Sequence, residues 1–129
     1  MNVLANGVFD VLHVGHLAYL RECRKLGTLI VSVTRDEHVN KGPGRPVTPL
    51  NERVEMLRAL NIAATVIPCN DLLDAMQQAK PDVVVKGCEY QGRMLPKDLE
   101  YMQEHGIVLA FTFTMLKSSS AIIDGLRRS

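Results

Sequence analysis

Short apolar runs alternate along this chain with longer stretches in which apolar residues recur every three or four positions, the two periods of strand and helix. Residues 2–5 read as a strand closed by Asn6-Gly7. Residues 16–26 read as a helix with Leu17, Leu20 and Cys23 on one side. Residues 29–33 form a nearly continuous apolar run, which suits a strand covered on both faces. A helix starts near Pro49 or Leu50, with Thr48 as its cap and Val54, Leu57 and Leu60 facing inward. Strands follow at 64–68, 83–85 and 107–113, and helices at 71–79, 97–105 and 118–128. Met56, Met76 and Met102 stand at helical positions suited to core filling.

Strand and helix thus alternate about five times. The pattern predicts an α/β fold, a Rossmann-like single domain over 1–129: a five-stranded parallel sheet with helices on both faces and right-handed crossovers. Ligands of such sheets bind beyond the carboxyl ends of the strands, where the strand order reverses. Lys41-Gly42-Pro43-Gly44-Arg45-Pro46 interrupts the pattern, and two glycines with two prolines in six residues exclude helix and strand there.

Composition narrows the chemistry. With 129 residues, 15 basic and 14 acidic, the formal net charge is +1, which argues against nucleic acid held by bulk electrostatics. An anion site must therefore be local. Three cysteines, none in a Cys-x-x-Cys pair, fit a reducing compartment. Neither a leader nor a bilayer-length apolar run stands out, so a soluble cytoplasmic domain is expected.

The residues with most chemistry are 6–16, Asn-Gly-Val-Phe-Asp-Val-Leu-His-Val-Gly-His, between the first strand and the first helix. Gly7 allows close backbone approach, and Gly15 puts no side chain in the way of an anion. His13 and His16, three apart at a helix start, can converge on one anion beside free amide N–H groups and the positive end of the helix dipole. Zinc is the weaker reading, because no third ligand lies nearby and His38 and His105 look like ordinary polar residues.

Gly7, Phe9, Asp10, His13, Gly15 and His16 resemble the signature of the cytidylyltransferase-like nucleotidyltransferase superfamily, with its His-x-Gly-His motif. The resemblance is strongest to the adenylyltransferase domain that makes ADP-heptose. Residues 44–53 look like its loop and helix, 83–90 its Val-Lys-Gly-x-Asp/Glu-Tyr segment, and 118–123 its closing Ser-Thr-Thr-x-Ile-Ile helix start. The resemblance implies an enzyme that joins a nucleoside triphosphate to a phosphorylated small molecule and releases pyrophosphate. ATP, a sugar 1-phosphate such as D-glycero-D-manno-heptose 1-phosphate, accompanying Mg2+ and a homodimer are implied with it; a resident metal site, nucleic acid and membrane are not.

The roles implied descend from the motif outward. His13 and His16 donate to the α-phosphate and bridging oxygens, and Gly7, Val8, Phe9, Asp10 and Gly15 shape the nucleotide turn. Lys41 and Arg45 grip phosphates from a loop and count with the histidines as catalytic. Arg53 is either architectural or, with Lys41 and Arg45, on the substrate. Lys86, Gly87 and Glu89 line the base or sugar pocket, and Ser118, Ser119 and Ser120 hold the β- and γ-phosphates. Asp10 orients His13 or the turn, or helps magnesium through water.

The cytidylyltransferase branch carries Arg-Thr-x-Gly before its closing serine and threonines, where this chain has Thr114-Met115-Leu116-Lys117. A CTP-dependent enzyme acting on glycerol 3-phosphate is therefore the second reading. A nucleotide-binding regulator without turnover is the third.

Overall fold

The computed structural model describes residues 1–112. The fold is a five-stranded, wholly parallel α/β sheet in the order β3-β2-β1-β4-β5. Its elements are β1 (Asn2–Gly7), α1 (Val14–Arg24), β2 (Thr28–Thr34), α2 (Leu50–Ala59), β3 (Thr65–Cys69), α3 (Leu72–Ala79), β4 (Val83–Lys86), α4 (Pro96–His105) and β5 (Val108–Phe111). The chain winds outward from β1 through β2 to β3, then crosses to β4 and β5 on the other side. The order reverses between β1 and β4, where Ala5 lies beside Val85.

Alternation along the strands sorts the core into two layers. Val3, Ala5, Val31 and Val85 meet Tyr19, Leu20, Cys23, Val54 and Leu57 of α1 and α2. Leu4 and Val84 meet Leu72, Ala75, Met76 and Met102 of α3 and α4. Both sheet faces are thus covered, as the nearly continuous apolar runs suggest. The buried Tyr19 hydroxyl donates across the first layer to the Val85 carbonyl, pinning α1 to the central strands.

Two expected core positions on α2 are corrected. Met56 is exposed because Arg53, Val54 and Leu57 define the inward face of that helix. Leu60 is exposed because α2 ends at Ala59 and leaves it on the cap. The closing helix expected at 118–128 lies outside the described residues.

Cys23 and Cys69 are fully buried, while Cys88 is partly accessible. Burial pushes the Cys23 thiol up to about 12 and raises Cys69 as well. Limiting iodoacetamide on the native protein is expected to alkylate Cys88 well ahead of the other two, read by peptide mass spectrometry. Equal rates at all three would contradict this packing.

Candidate active site

The carboxyl end of β1 runs into a turn that ends where α1 begins at Val14, two residues earlier than the apolar spacing suggests. His13, in extended conformation, is the N-cap. Its Nδ1 accepts the Gly15 amide at 3.0 Å, and Nδ1 of His16 accepts the His13 amide at 3.3 Å. The two imidazoles thus form a reciprocal capping box, a role usually filled by a hydroxyl and a carboxylate. Since each Nδ1 accepts, the donor of each neutral ring is its Nε2–H. The ring centroids lie 3.9 Å apart, and Phe9 packs on His16 at 5.4 Å.

Burial, then the charges of His13 and Lys41, push the His16 pKa down to about 4. The ligand-free ring is therefore neutral at pH 7. Because the folded pKa lies below the unfolded one, the unfolded chain binds more protons between about pH 6.5 and 4. Stability is expected to fall as pH falls through that window on His16's account. An NMR titration that protonated His16 above pH 6 in the free protein would refute the placement.

Gly7 also has a steric reason. A Cβ there would sit 3.1 Å from the Phe9 ring, so Gly7 makes room for Phe9. Phe9 is buried and holds φ 52°, a left-handed conformation unusual for an aromatic residue. Strain of this kind concentrates at functional turns.

Asp10 is buried, and the structure resolves its role. It accepts Arg45 Nε at 2.6 Å, the Val47 amide at 2.9 Å and the Thr48 amide at 2.8 Å. Burial alone would raise its pKa, but the Thr48 and Val47 amides and Arg45 outweigh it and hold the carboxyl below its ordinary value. Both oxygens accept from the 45–48 segment, so Asp10 ties that loop to the turn after β1. Arg45 has its side chain only 5% exposed. Lys41, at the open end of the loop, is exposed. Partial desolvation and the nearby Arg45 lower its pKa against the pull of Asp10.

Arg53, one of two roles left open above, is placed inside. It is 1% exposed and donates to the carbonyls of Thr48 at 2.9 Å, Val8 at 2.8 Å and Thr34 at 2.7 Å, and to the Asp36 carboxylate. Its substrate role is corrected: all three guanidinium nitrogens are on the protein, binding the nucleotide turn, the end of β2 and the loop together. The Val8 carbonyl is thus held by Arg53.

Across the switch point, the other sheet face carries a second polar group. Lys86 ends β4, is nearly buried, donates to the Asn6 carbonyl at 3.2 Å and lies 4.4 Å from the Tyr90 ring centre. Burial lowers its pKa to about 8, opposed by Asp98 and Glu89. A Cβ at Gly87 would lie 2.4 Å from a Glu89 carboxylate oxygen, so a side chain there would have to displace Glu89. Gly87→Ala is expected to swing Glu89 away and raise a substrate KM about tenfold, a loss of one good hydrogen bond; unchanged kinetics would refute the contact. Asn6 Nδ2 donates to Ser32 Oγ and Cys69 Sγ in the same layer.

Sequence reading missed Asp98, which is 4% exposed on the first turn of α4. An acidic residue there looks like an ordinary complement to the helix dipole, and only burial sets it apart. Ser118, Ser119 and Ser120 lie outside the described residues.

A parallel α/β sheet whose first crossover sets two imidazoles at a helix start, with Lys41 and Arg45 beside it, places its polar groups at the switch point, where sheets of this class bind their ligands. The profile of the family described as Cytidylyltransferase-like matches residues 4–124. The chain belongs to that family and is a nucleotidyltransferase. Among its relatives are proteins named bifunctional protein HldE. That of Sodalis glossinidius is 38% identical over 98% of this chain, and that of Aeromonas hydrophila 39% over 97%. The chain spans 27% of the length of each. The crystal structure of a lipopolysaccharide core biosynthesis protein from Thermoplasma volcanium superposes with a TM-score of 0.75 at 28% identity, covering 91% of this chain and 98% of that one. Among the described residues no helix is long and apolar enough to cross a membrane, and no three His, Cys, Asp or Glu side chains are grouped to hold a metal.

Proposed function

We propose that this nucleotidyltransferase transfers adenylyl from ATP to a sugar 1-phosphate, with a heptose 1-phosphate as the acceptor. The observation that carries the reading is the histidine capping box, which fixes the orientation of two adjacent imidazoles at the start of the first crossover helix. The likeness to the HldE proteins over nearly the whole chain supports a sugar phosphate acceptor. The second reading, CTP with glycerol 3-phosphate, rests on the first motif alone.

The chemistry asks little beyond placement. The acceptor's phosphate oxygen is already ionised near pH 7 and needs no base. It attacks the α-phosphorus in line; a new P–O bond forms, the bond to the bridging α–β oxygen breaks, and the electron pair leaves with pyrophosphate. Negative charge grows on the α-phosphoryl and bridging oxygens, where His13 and His16 donate. Lys41 supplies charge from the loop, and Arg45, anchored by Asp10, sets where the loop stands. Mg2+ would accompany the triphosphate and would supply charge neutralisation there. A homodimer in the cytoplasm belongs to the same proposal.

The test is a matrix of nucleoside triphosphates against phosphorylated acceptors, scored by pyrophosphate release. Turnover with ATP and heptose 1-phosphate is expected. Turnover with CTP and glycerol 3-phosphate, and none with ATP, would overturn the assignment. Nucleotide binding without pyrophosphate from any pair would make the protein a regulator instead.

A further inference from the structure

The end of the sheet opposite the switch point holds an open cavity of about 500 Å³. It lies where β1 and β2 begin, between the last turn of α1 and the segment after α2, and is lined by Met1, Arg24, Gly27, Thr28, Leu29 and residues 61–64. The length of β2, about 20 Å, separates it from the turns at the carboxyl ends of the strands. A small molecule bound here cannot touch the reacting atoms, so the transfer chemistry does not account for this cavity.

Its lining has a definite chemistry. Arg24 Nη1 donates to the Ile62 carbonyl at 2.6 Å, which ties the last residue of α1 to the segment after α2 and fixes where the guanidinium stands. A guanidinium carries five N–H donors, so most of this fork is left for a ligand. Arg24 enters no ion pair among the described residues, and no acidic residue lines the cavity. Asn61 holds φ 54°, a left-handed conformation that asparagine tolerates better than most residues and that recurs at functional turns. Its backbone N–H donates to the Arg58 carbonyl at 3.1 Å, while its side-chain amide makes no hydrogen bond among the described residues. On the far wall the Thr28 amide donates to the Met1 carbonyl at 2.9 Å. A Cβ on Gly27 would lie 2.2 Å from that carbonyl oxygen, so a side chain there would push Met1 off the wall.

These groups select the occupant. A cation would meet a guanidinium and no carboxylate. An oxyanion fits, because two parallel N–H groups of a guanidinium match two oxygens of a phosphate or carboxylate, and the Asn61 amide can donate a further bond. The cavity is roomier than a bare anion needs and its surface is mostly polar, so the anion carries a small polar body. We propose that this cavity is a second ligand site, which binds a small hydroxylated oxyanion through Arg24 and Asn61. The site goes beyond the proposed function and does not depend on it.

Amide NMR of the full chain locates binding without turnover. The probes are glycerol 2-phosphate, glycerate and glycerol, two oxyanions and a neutral molecule with related bodies. At least one anion is expected to shift the amides of Gly27, Thr28 and residues 61–64 saturably, with a Kd of about 1 mM for so small a ligand. Glycerol is expected to leave them in place. The tighter anion tells whether the site takes phosphate or carboxylate. Arg24→Gln is expected to weaken that binding about tenfold, the loss of a charge-assisted pair, while any shifts at residues 7–16 keep their wild-type affinity. Asn61→Gly keeps the left-handed backbone and removes the amide, and is expected to weaken binding about threefold, one neutral hydrogen bond. It carries the test if Arg24→Gln melts early. The proposal is overturned if neither anion saturates these amides by about 10 mM, tenfold above the expected Kd, or if glycerol binds as tightly. It is also overturned if either folded variant keeps the wild-type affinity. Failure of the adenylyl-transfer reading shows separately, as absence of pyrophosphate in the substrate matrix.

Discussion

His16→Ala is expected to lower kcat by about 10²–10³-fold, the loss that follows removal of one donor to a developing oxyanion, while the Kd for ATP changes by less than about threefold. The asymmetry follows from geometry. Nδ1 of His16 accepts the His13 amide, so the ring is held in one orientation before any ligand arrives. Its neutral Nε2–H meets only modest charge on the ground-state triphosphate. The same donor gains strength as charge collects on the reacting oxygens, so its removal falls on kcat. His16→Asn controls for the lost cap, since its amide oxygen can accept the same backbone N–H. It should recover stability and not rate. Equal losses in kcat and affinity for His16→Ala would sink the transition-state role and favour the regulator.

Arg53→Met has the largest expected effect on stability, about 3 kcal/mol, the scale for breaking a buried charged network, or roughly 10 °C in Tm. The methionine keeps much of the aliphatic stem but leaves the carbonyls of Val8, Thr34 and Thr48 without the donor that joins them. Thermal melting by circular dichroism measures it. A shift below about 3 °C, under 1 kcal/mol on this scale, would mean that water replaces the guanidinium readily and that Arg53 is not the hub described above.

Much of the fold was legible because period and burial agree. The nearly continuous Leu29–Val33 run and the Val83–Val85 run suit strands inside a doubly covered sheet, and they are. The α2 stripe misled at Met56 and Leu60 because Arg53, a charged residue, takes an inward position that apolar spacing leaves blank. At the site, His13 and His16 were legible from spacing at a strand–helix junction. Their mutual capping was not, since side-chain hydrogen bonds to the backbone leave no trace in hydropathy. Asp10 was legible as important and not as an anchor, because its partners lie 35 to 38 residues away. Asp98 was silent because its burial, which alone sets it apart, comes from the packing of the fold.

The capping box has a bearing on what this scaffold can become. The helix claims the one lone pair on each imidazole that could have accepted a proton, so neither ring can be recruited as a base while α1 keeps its first turn. A descendant needing to deprotonate an alcohol would have to recast the start of that helix first. Acceptors that arrive already anionic are thus written into the scaffold itself.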